Sequence, residues 1–212
     1  MFLFDNFIIY KKRYHLSAVK RILSYITHKH QFKEIHRSDI IKKPIIITPQ
    51  YISLGENVYI GYHARIEGIS LYAGIKYTPL IRICDGVTIQ QNIHLTCANI
   101  ISIGKNTAVA ANVTITDIHH PYTDIRKPIE RQCLEVGTVQ IGEDCKIYNN
   151  AVILPNTKIG KHVTVGANSV VSGEFPDYCV IVGAPAKIVK RYDFCNCKWR
   201  NTNSKGVFEE QE

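Results

Sequence analysis

The chain has 212 residues, of which 45% are hydrophobic, and carries 26 lysines and arginines against 18 acids, a formal net charge of +8. Length and composition suit one soluble domain, and the first apolar stretch, Met1 to Tyr10, is too short for a bilayer span and lacks the positive leader of a signal peptide. Seven cysteines, odd in number and without paired CxxC spacing, read as reduced thiols of a cytoplasmic protein and speak against a structural zinc site.

Residues 1–45 form a basic segment. Ten lysines and arginines fall within residues 1–43 against Asp5, Glu34 and Asp39, so seven of the net eight charges lie there. Leu16, Val19, Leu23 and Ile26 recur at helical spacing, which predicts an amphipathic helix capping the open end of the fold that follows. A second reading of the segment is peripheral contact with the inner membrane face, aided by Phe2, Phe4, Phe7 and Tyr10. Its basic residues are not interleaved with stacking aromatics, and no nucleic-acid motif appears.

From residue 46 to about 185 the chain is governed by a period of six. LGENVY and IGYHAR start at Leu54; ICDGVT, IQQNIH and LTCANI start at Ile83; IGKNTA and VAANVT start at Ile103. The run is clearest from Ile141 to Pro176, where Ile141, Ile147, Ile153, Ile159, Val165 and Val171 each open a hexapeptide. A period of six fits neither a helix nor a plain strand; it fits a parallel β-helix whose triangular coils take three hexapeptides each. The first residue of each unit should face inward, and Gly142, Gly160 and Gly166 should supply φ > 0 at the corners. Roughly four to five coils are expected. The fold class is therefore all-β, with a short C-terminal helix and tail expected over residues 186–212.

Two stretches break the period, residues 67–80 and 116–138. Long loops leaving a compact scaffold are where function concentrates. The second holds Asp117, His119, His120 and Tyr122 within six residues, and a histidine titrating near neutrality is a natural general base for a hydroxyl or amine. Asn92 and His94 lie on the preceding coil and are candidates to hydrogen-bond an acceptor, with ordinary corner residues as the competing reading. Tyr77 and Tyr122 are candidates to stack on a sugar ring.

The segments ITDIHHPY, VQIGEDCKIYNNAVILPNTKIGKHVTVGANSVV and VIVGAPAKIVKRYDF, in this order, resemble the hexapeptide-repeat acyltransferases, in particular sugar O-acetyltransferases associated with bacterial surface polysaccharides. The similarity spans about residues 52–194. It implies a left-handed β-helix and a homotrimer with acetyl-CoA in the groove between neighbouring prisms. It further implies direct transfer of an acetyl group to a sugar hydroxyl in capsule or lipopolysaccharide synthesis, with no metal. The family's catalytic histidine falls on His120, just before Pro121, with Asp117 or a backbone carbonyl to orient it and His119 as the competing imidazole. Asn149 matches the oxyanion donor, Ala167 a pantetheine contact, Ser172 a further contact, and Lys187 and Lys190 the partners of the CoA phosphates. Departures from the family pattern are Ile118, Lys146, Tyr148 and the Ser172-Gly173 pair. Alternatives are N-acetylation of an amino sugar nucleotide, acetylation of a small molecule, or a zinc-dependent β-helix like the γ-type carbonic anhydrases, with His94, His119 and His120 as its loose ligand set.

Overall fold

The structure is a computed structural model and describes residues 18–203 and 206–209. Helix α1 (Ala18–His28) leads into a solenoid of three-stranded coils. The first coil is β1 (Ile40–Ile41), β2 (Ile46–Ile47) and β3 (Ile52–Leu54). The second is β4 (Tyr59–Ile60), β5 (Arg65–Gly68) and β8 (Leu80–Ile83), interrupted by the hairpin β6 (Leu71–Tyr72) and β7 (Ile75–Lys76). The third is β9 (Thr88–Ile89), β10 (His94–Cys97) and β11 (Ile100–Ile103). The fourth is β12 (Ala108–Val109), β13 (Thr114–Thr116) and β16 (Thr138–Ile141), interrupted by β14 (Ile118–His119) and β15 (Glu135–Val136). The fifth is β17 (Lys146–Ile147), β18 (Val152–Ile153) and β19 (Thr157–Ile159), and the sixth is β20 (Thr164–Val165), β21 (Val170–Val171) and β22 (Glu174–Phe175). Then β23 (Cys179–Gly183) closes the stack, followed by β24 (Ala186–Asp193) and β25 (Lys198–Asn201).

Corresponding strands of successive coils pair in parallel, giving three sheets that form the faces of a left-handed prism. The two six-stranded faces fix the count at six coils, more than the four to five expected. The additional coil lies at the start, because the solenoid begins at Ile40 rather than near residue 46. Ile141, Ile147, Ile153, Ile159, Val165 and Val171 are all at most 3% exposed, so the first residue of each hexapeptide does face inward. The result is one continuous aliphatic column, which supplies the main stabilisation.

The glycines have a different reason from the one expected. Gly142 and Gly160 are not in the left-handed region; a Cβ on Gly142 would lie 2.5 Å from the backbone of Gly160, and one on Gly104 would lie 2.5 Å from Gly142. They are glycine because stacked coils touch there. The left-handed corners fall instead to short polar residues, with φ near 60° at Asn92, Asn112, Asn150 and Asn168. Their amides join one coil to the next, Asn92 donating to Asn112 at 3.0 Å, Asn112 to Asn150 at 3.1 Å and Asn150 to Asn168 at 3.0 Å.

Both ends differ from expectation. Of the predicted helical stripe, Leu16 and the aromatic residues before it lie outside the described residues, while Leu23 and Ile26 are 61% and 54% exposed. The end of the core is covered by Phe32 and Ile35, just after α1, with a cavity of about 250 Å³ between Tyr25 and His28 of the helix and Ile41 and Ile47 of the first coil. At the other end residues 186–193 are a strand and not a helix. The edge of β23 would otherwise present unpaired backbone groups, and β24, rich in β-branched residues at Ile188 and Val189, satisfies them by antiparallel pairing. No helix among the described residues is long and apolar enough to cross a membrane.

Candidate active site

Both interruptions leave the prism at the same corner. Residues 69–79 depart between β5 and β8, and residues 117–137 depart between β13 and β16, whereas the intervening coil turns that corner with Ala98 and Asn99 alone. One coil, about 4.8 Å thick, separates the two departures, so the loops lie side by side. They dock on each other: Tyr77 Oη accepts a hydrogen bond from the Leu134 N–H at 2.9 Å, and Tyr72 Oη donates to the carboxylate of Glu130 at 2.7 Å.

Between the loops and the outward side of β5, β10 and β13 is a cleft of about 400 Å³. Arg65, His94, Thr96, Thr114 and Thr116 form its floor; Tyr72, His120 and Glu130 stand on its walls. These floor residues point outward because each strand alternates, their neighbours Ile66, Leu95 and Ile115 being fully buried in the column. Burial and the nearby Arg65 guanidinium hold His94 below the usual histidine range, which favours the neutral ring, a partner for a hydroxyl. Arg65 is paired with Glu67 at 2.6 Å, and the Thr96 hydroxyl donates to that of Thr116 at 3.0 Å.

The loop histidines separate. His120 lines the cleft, its ring edge-on to Tyr72 with centroids 5.4 Å apart. His119 is exposed outside that lining, against Tyr122 at 6.1 Å, and pairs with Glu135 across the β14–β15 ladder. Asp117 does not orient His120. Its carboxylate is fully buried and accepts from the Ala98 and Asn99 N–H groups at 2.8 and 2.9 Å and from the Cys97 thiol at 3.3 Å. This is a corner fastener, and sequence adjacency to the histidines misrepresents it. Asn92 likewise belongs to the asparagine ladder and not to the cleft. Tyr122 and Tyr77 also lie outside the lining, Tyr77 being committed to Leu134. Tyr72 and Glu130 were not legible beforehand, since only the docking of the loops, 58 positions apart in sequence, brings them to His120.

Asn149 and Ala167 stack in register on the asparagine corner, where the Asn168 N–H donates to the Asn149 carbonyl at 3.0 Å. Neither main-chain N–H of Asn149 or Ala167 donates within the described chain, so both are free for a bound group. This corner precedes β18, whereas the His120 loop follows β13, the strand paired with it; the two features sit at opposite ends of one strand pair. Ser172, after β21, is on the loop corner, and Lys187 and Lys190 are exposed on β24 with no ion pair among the described residues. Lys146 places its ammonium 5.4 Å from the Tyr148 ring centroid, so these two departures from the family pattern form one cation–π unit.

Comparison with known proteins bears on this arrangement. Residues 138–173 match the model of the bacterial transferase hexapeptide (six repeats). The chain is 34% identical over 155 residues to a protein of Escherichia coli K12 named as a lipopolysaccharide biosynthesis O-acetyl transferase, WbbJ, covering 70% of this chain and 76% of that protein. It belongs to the hexapeptide-repeat acyltransferases. A second member, galactoside O-acetyltransferase of E. coli K12, is 28% identical over 169 residues, with 76% of this chain and 74% of that one covered. Among solved structures the fold resembles that of AntD, an N-acyltransferase from Bacillus cereus crystallised with dTDP and 3-hydroxybutyryl-CoA, at a TM-score of 0.63, 20% identity, and coverage of 79% of this chain and 87% of that one. It also resembles the Vibrio cholerae hexapeptide-repeat acetyltransferase VCA0836, crystallised with acetyl coenzyme A, at a TM-score of 0.51, 19% identity, and coverage of 85% and 80%. On this fold the prism strands supply the floor of the cleft and the two loops its walls.

Proposed function

We propose that this acyltransferase moves an acetyl group from acetyl-CoA to a hydroxyl of a sugar destined for a surface polysaccharide. The observation that carries the reading is His120, the one loop imidazole that opens onto the cleft, above a floor of hydroxyl and imidazole groups suited to a polyol. Relatives named as O-acetyl transferases of lipopolysaccharide and of galactosides support the acceptor class. His120 takes the proton of the attacking hydroxyl, whose oxygen adds to the thioester carbonyl. The oxyanion meets the free Asn149 N–H of a neighbouring copy, the intermediate expels the CoA thiolate, and His120 returns the proton to sulfur. No acyl-enzyme forms, because one groove holds both substrates. Lys187 and Lys190, without an ion pair among the described residues, meet the CoA phosphates, Ala167 contacts the pantetheine arm, and Ser172 makes a further contact. His94 orients the acceptor.

Thiol release from acetyl-CoA is the test, measured against a panel of oligosaccharides and sugar nucleotides. A hydroxyl acceptor should release thiol, and His120→Ala should lower the rate by about 10²-fold or more. Absence of release with every acceptor, together with absence of CoA binding, would overturn the reading. Preference for an amino sugar nucleotide would instead favour acyl transfer to nitrogen, as in the N-acyltransferase AntD.

We also propose that α1 meets an anionic lipid surface, because Ile22, Leu23 and Ile26 are exposed and residues 18–33 contain no acid. Flotation of the full chain with phosphatidylglycerol vesicles tests this, and equal recovery after deletion of residues 1–30 would remove it.

A further inference from the structure

We infer that Tyr72, itself held by Glu130, is a positioning residue that fixes the tautomer of His120 and so decides which ring nitrogen acts as base. The inference rests on the proposed base role of His120. Tyr72 sits at the end of β6 in the first loop, and Glu130 lies in a short 3₁₀ turn (Ile129–Arg131) of the second. The Tyr72 Oη is 2.7 Å from the Glu130 carboxylate and 2.8 Å from the Glu130 carbonyl oxygen. A phenol has a single hydrogen to donate, and the two short contacts, at 2.7 and 2.8 Å, are both to Glu130, whereas His120 Nδ1 is 3.5 Å away. The hydrogen is therefore directed to Glu130, and the phenol oxygen presents only lone pairs elsewhere.

His120 Nδ1 lies 3.5 Å from that same oxygen, with the rings edge-on at 76°. An oxygen offering only lone pairs is met by Nδ1 in its protonated form. A neutral imidazole that carries its hydrogen on Nδ1 keeps the free pair on Nε2. Nε2 is then the atom that accepts the hydroxyl proton. The contact is long, as catalytic hydrogen bonds commonly are before substrates bind. During transfer the proton moves from the acceptor oxygen to Nε2 and later from Nε2 to the thiolate sulfur. Tyr72 keeps its own hydrogen on Glu130 throughout. The imidazolium formed in between adjoins the phenol–carboxylate pair, which stabilises its charge.

The other charged or titratable groups facing the ring are few. From the strands, Arg65 and His94 line the same cleft, and Arg65 is already paired with Glu67. Asp117, three residues earlier, is bound to Ala98 and Asn99. Among the described residues Glu130 is thus the one carboxylate placed to act through the phenol.

The test is steady-state kinetics of the full chain with its best acceptor across pH. Tyr72→Phe should lower kcat by about 10- to 100-fold, leave the KM for acetyl-CoA within about twofold, and move the acid limb of the kcat profile to lower pH. Glu130→Gln keeps an acceptor for the phenol but removes the charge, so it should move the acid limb with a smaller loss of kcat. Tyr77→Phe breaks only the Leu134 anchor and should do neither. An unchanged kcat and acid limb in Tyr72→Phe, or the same changes in Tyr77→Phe, would overturn the positioning role. Should Tyr72→Phe fail to fold, the acid limb of Glu130→Gln decides. If His120→Ala itself retained activity, the base assignment would fall, an outcome distinct from loss of the Tyr72 role alone.

Discussion

Asp117 stands three residues before His120 and yet serves the scaffold. Its carboxylate closes the tight corner of the third coil by accepting two backbone N–H groups. Asp117→Ala would strand both donors in a buried site, at a cost of about 1–3 kcal/mol for an unsatisfied group. Urea unfolding should show that loss, while activity per folded molecule changes little; a loss of kcat without a loss of stability would restore a catalytic role. Burial raises this carboxyl above its ordinary value of 3.8. The folded state therefore binds the proton more tightly than the unfolded chain. Its contribution is full below that ordinary value and declines as pH rises through the folded one. At this scale the sequence was a partial guide. The dipeptide His119-His120 marked the loop that lines the cleft because core packing does not call for it. Which partner each side chain meets depends on a corner 20 residues away in sequence, which places Asp117 on Cys97, Ala98 and Asn99, puts Asn92 in the corner ladder that was its competing reading, and leaves His94 on the cleft floor.

Two elements show opposite relations between pattern and structure. The first coil, with Ile40, Ile46 and Ile52, keeps the six-residue spacing but lacks the glycine and asparagine corners that mark the others, and Pro44 and Pro49 interrupt it. The period was present and its punctuation was not. The C-terminal hairpin carried no repeat to read; its form is dictated by the sheet edge it covers. Asp193 secures that hairpin, accepting from the Asn196 side chain at 2.8 Å and from Arg200 at 3.0 Å. Those two partners, Asn196 first, hold its carboxyl down to about 2. A depressed carboxylate contributes stability above its unfolded value, lost as pH falls through the folded one. Thermal melts should thus be flat down to about pH 4 from this group and then decline towards about pH 2. Asp193→Asn should remove that decline along with part of the neutral-pH stability. An identical acid limb in the variant would show that other carboxylates govern it. For the paired loops, replacing residues 71–76 by a tight turn should speed proteolysis within 122–133 while leaving the melting temperature nearly unchanged, since no residue of that hairpin belongs to the buried column.

For the whole molecule, the strand geometry sets a requirement. The proposed reaction needs His120 and the free N–H of Asn149 at one thioester, and they lie at opposite ends of the β13–β18 pair, so under that proposal one chain does not bring them together. A cyclic assembly in which one copy's loop meets the next copy's asparagine corner does. Sedimentation should find a trimer. Subunit mixing gives a sharper readout: His120→Ala and Asn149→Pro, each inactive alone, should regain activity when combined. Random exchange leaves about a quarter of the interfaces with both groups intact. No recovery from exchanged trimers would place both groups in one chain's site.

The shared corner at which both loops depart has a consequence for how this protein can change. The coil between them turns with Ala98 and Asn99 and keeps its strands paired above and below, so the prism does not register how much chain is exported on either side. Adding length there costs little, about 0.6 kcal/mol for each doubling of a loop. An insertion beside Ile125, 94% exposed at the loop tip, should leave the melting temperature nearly as it was. The cleft can therefore be re-cut by exchanging loops between relatives, one wall at a time, with the scaffold serving as an invariant chassis.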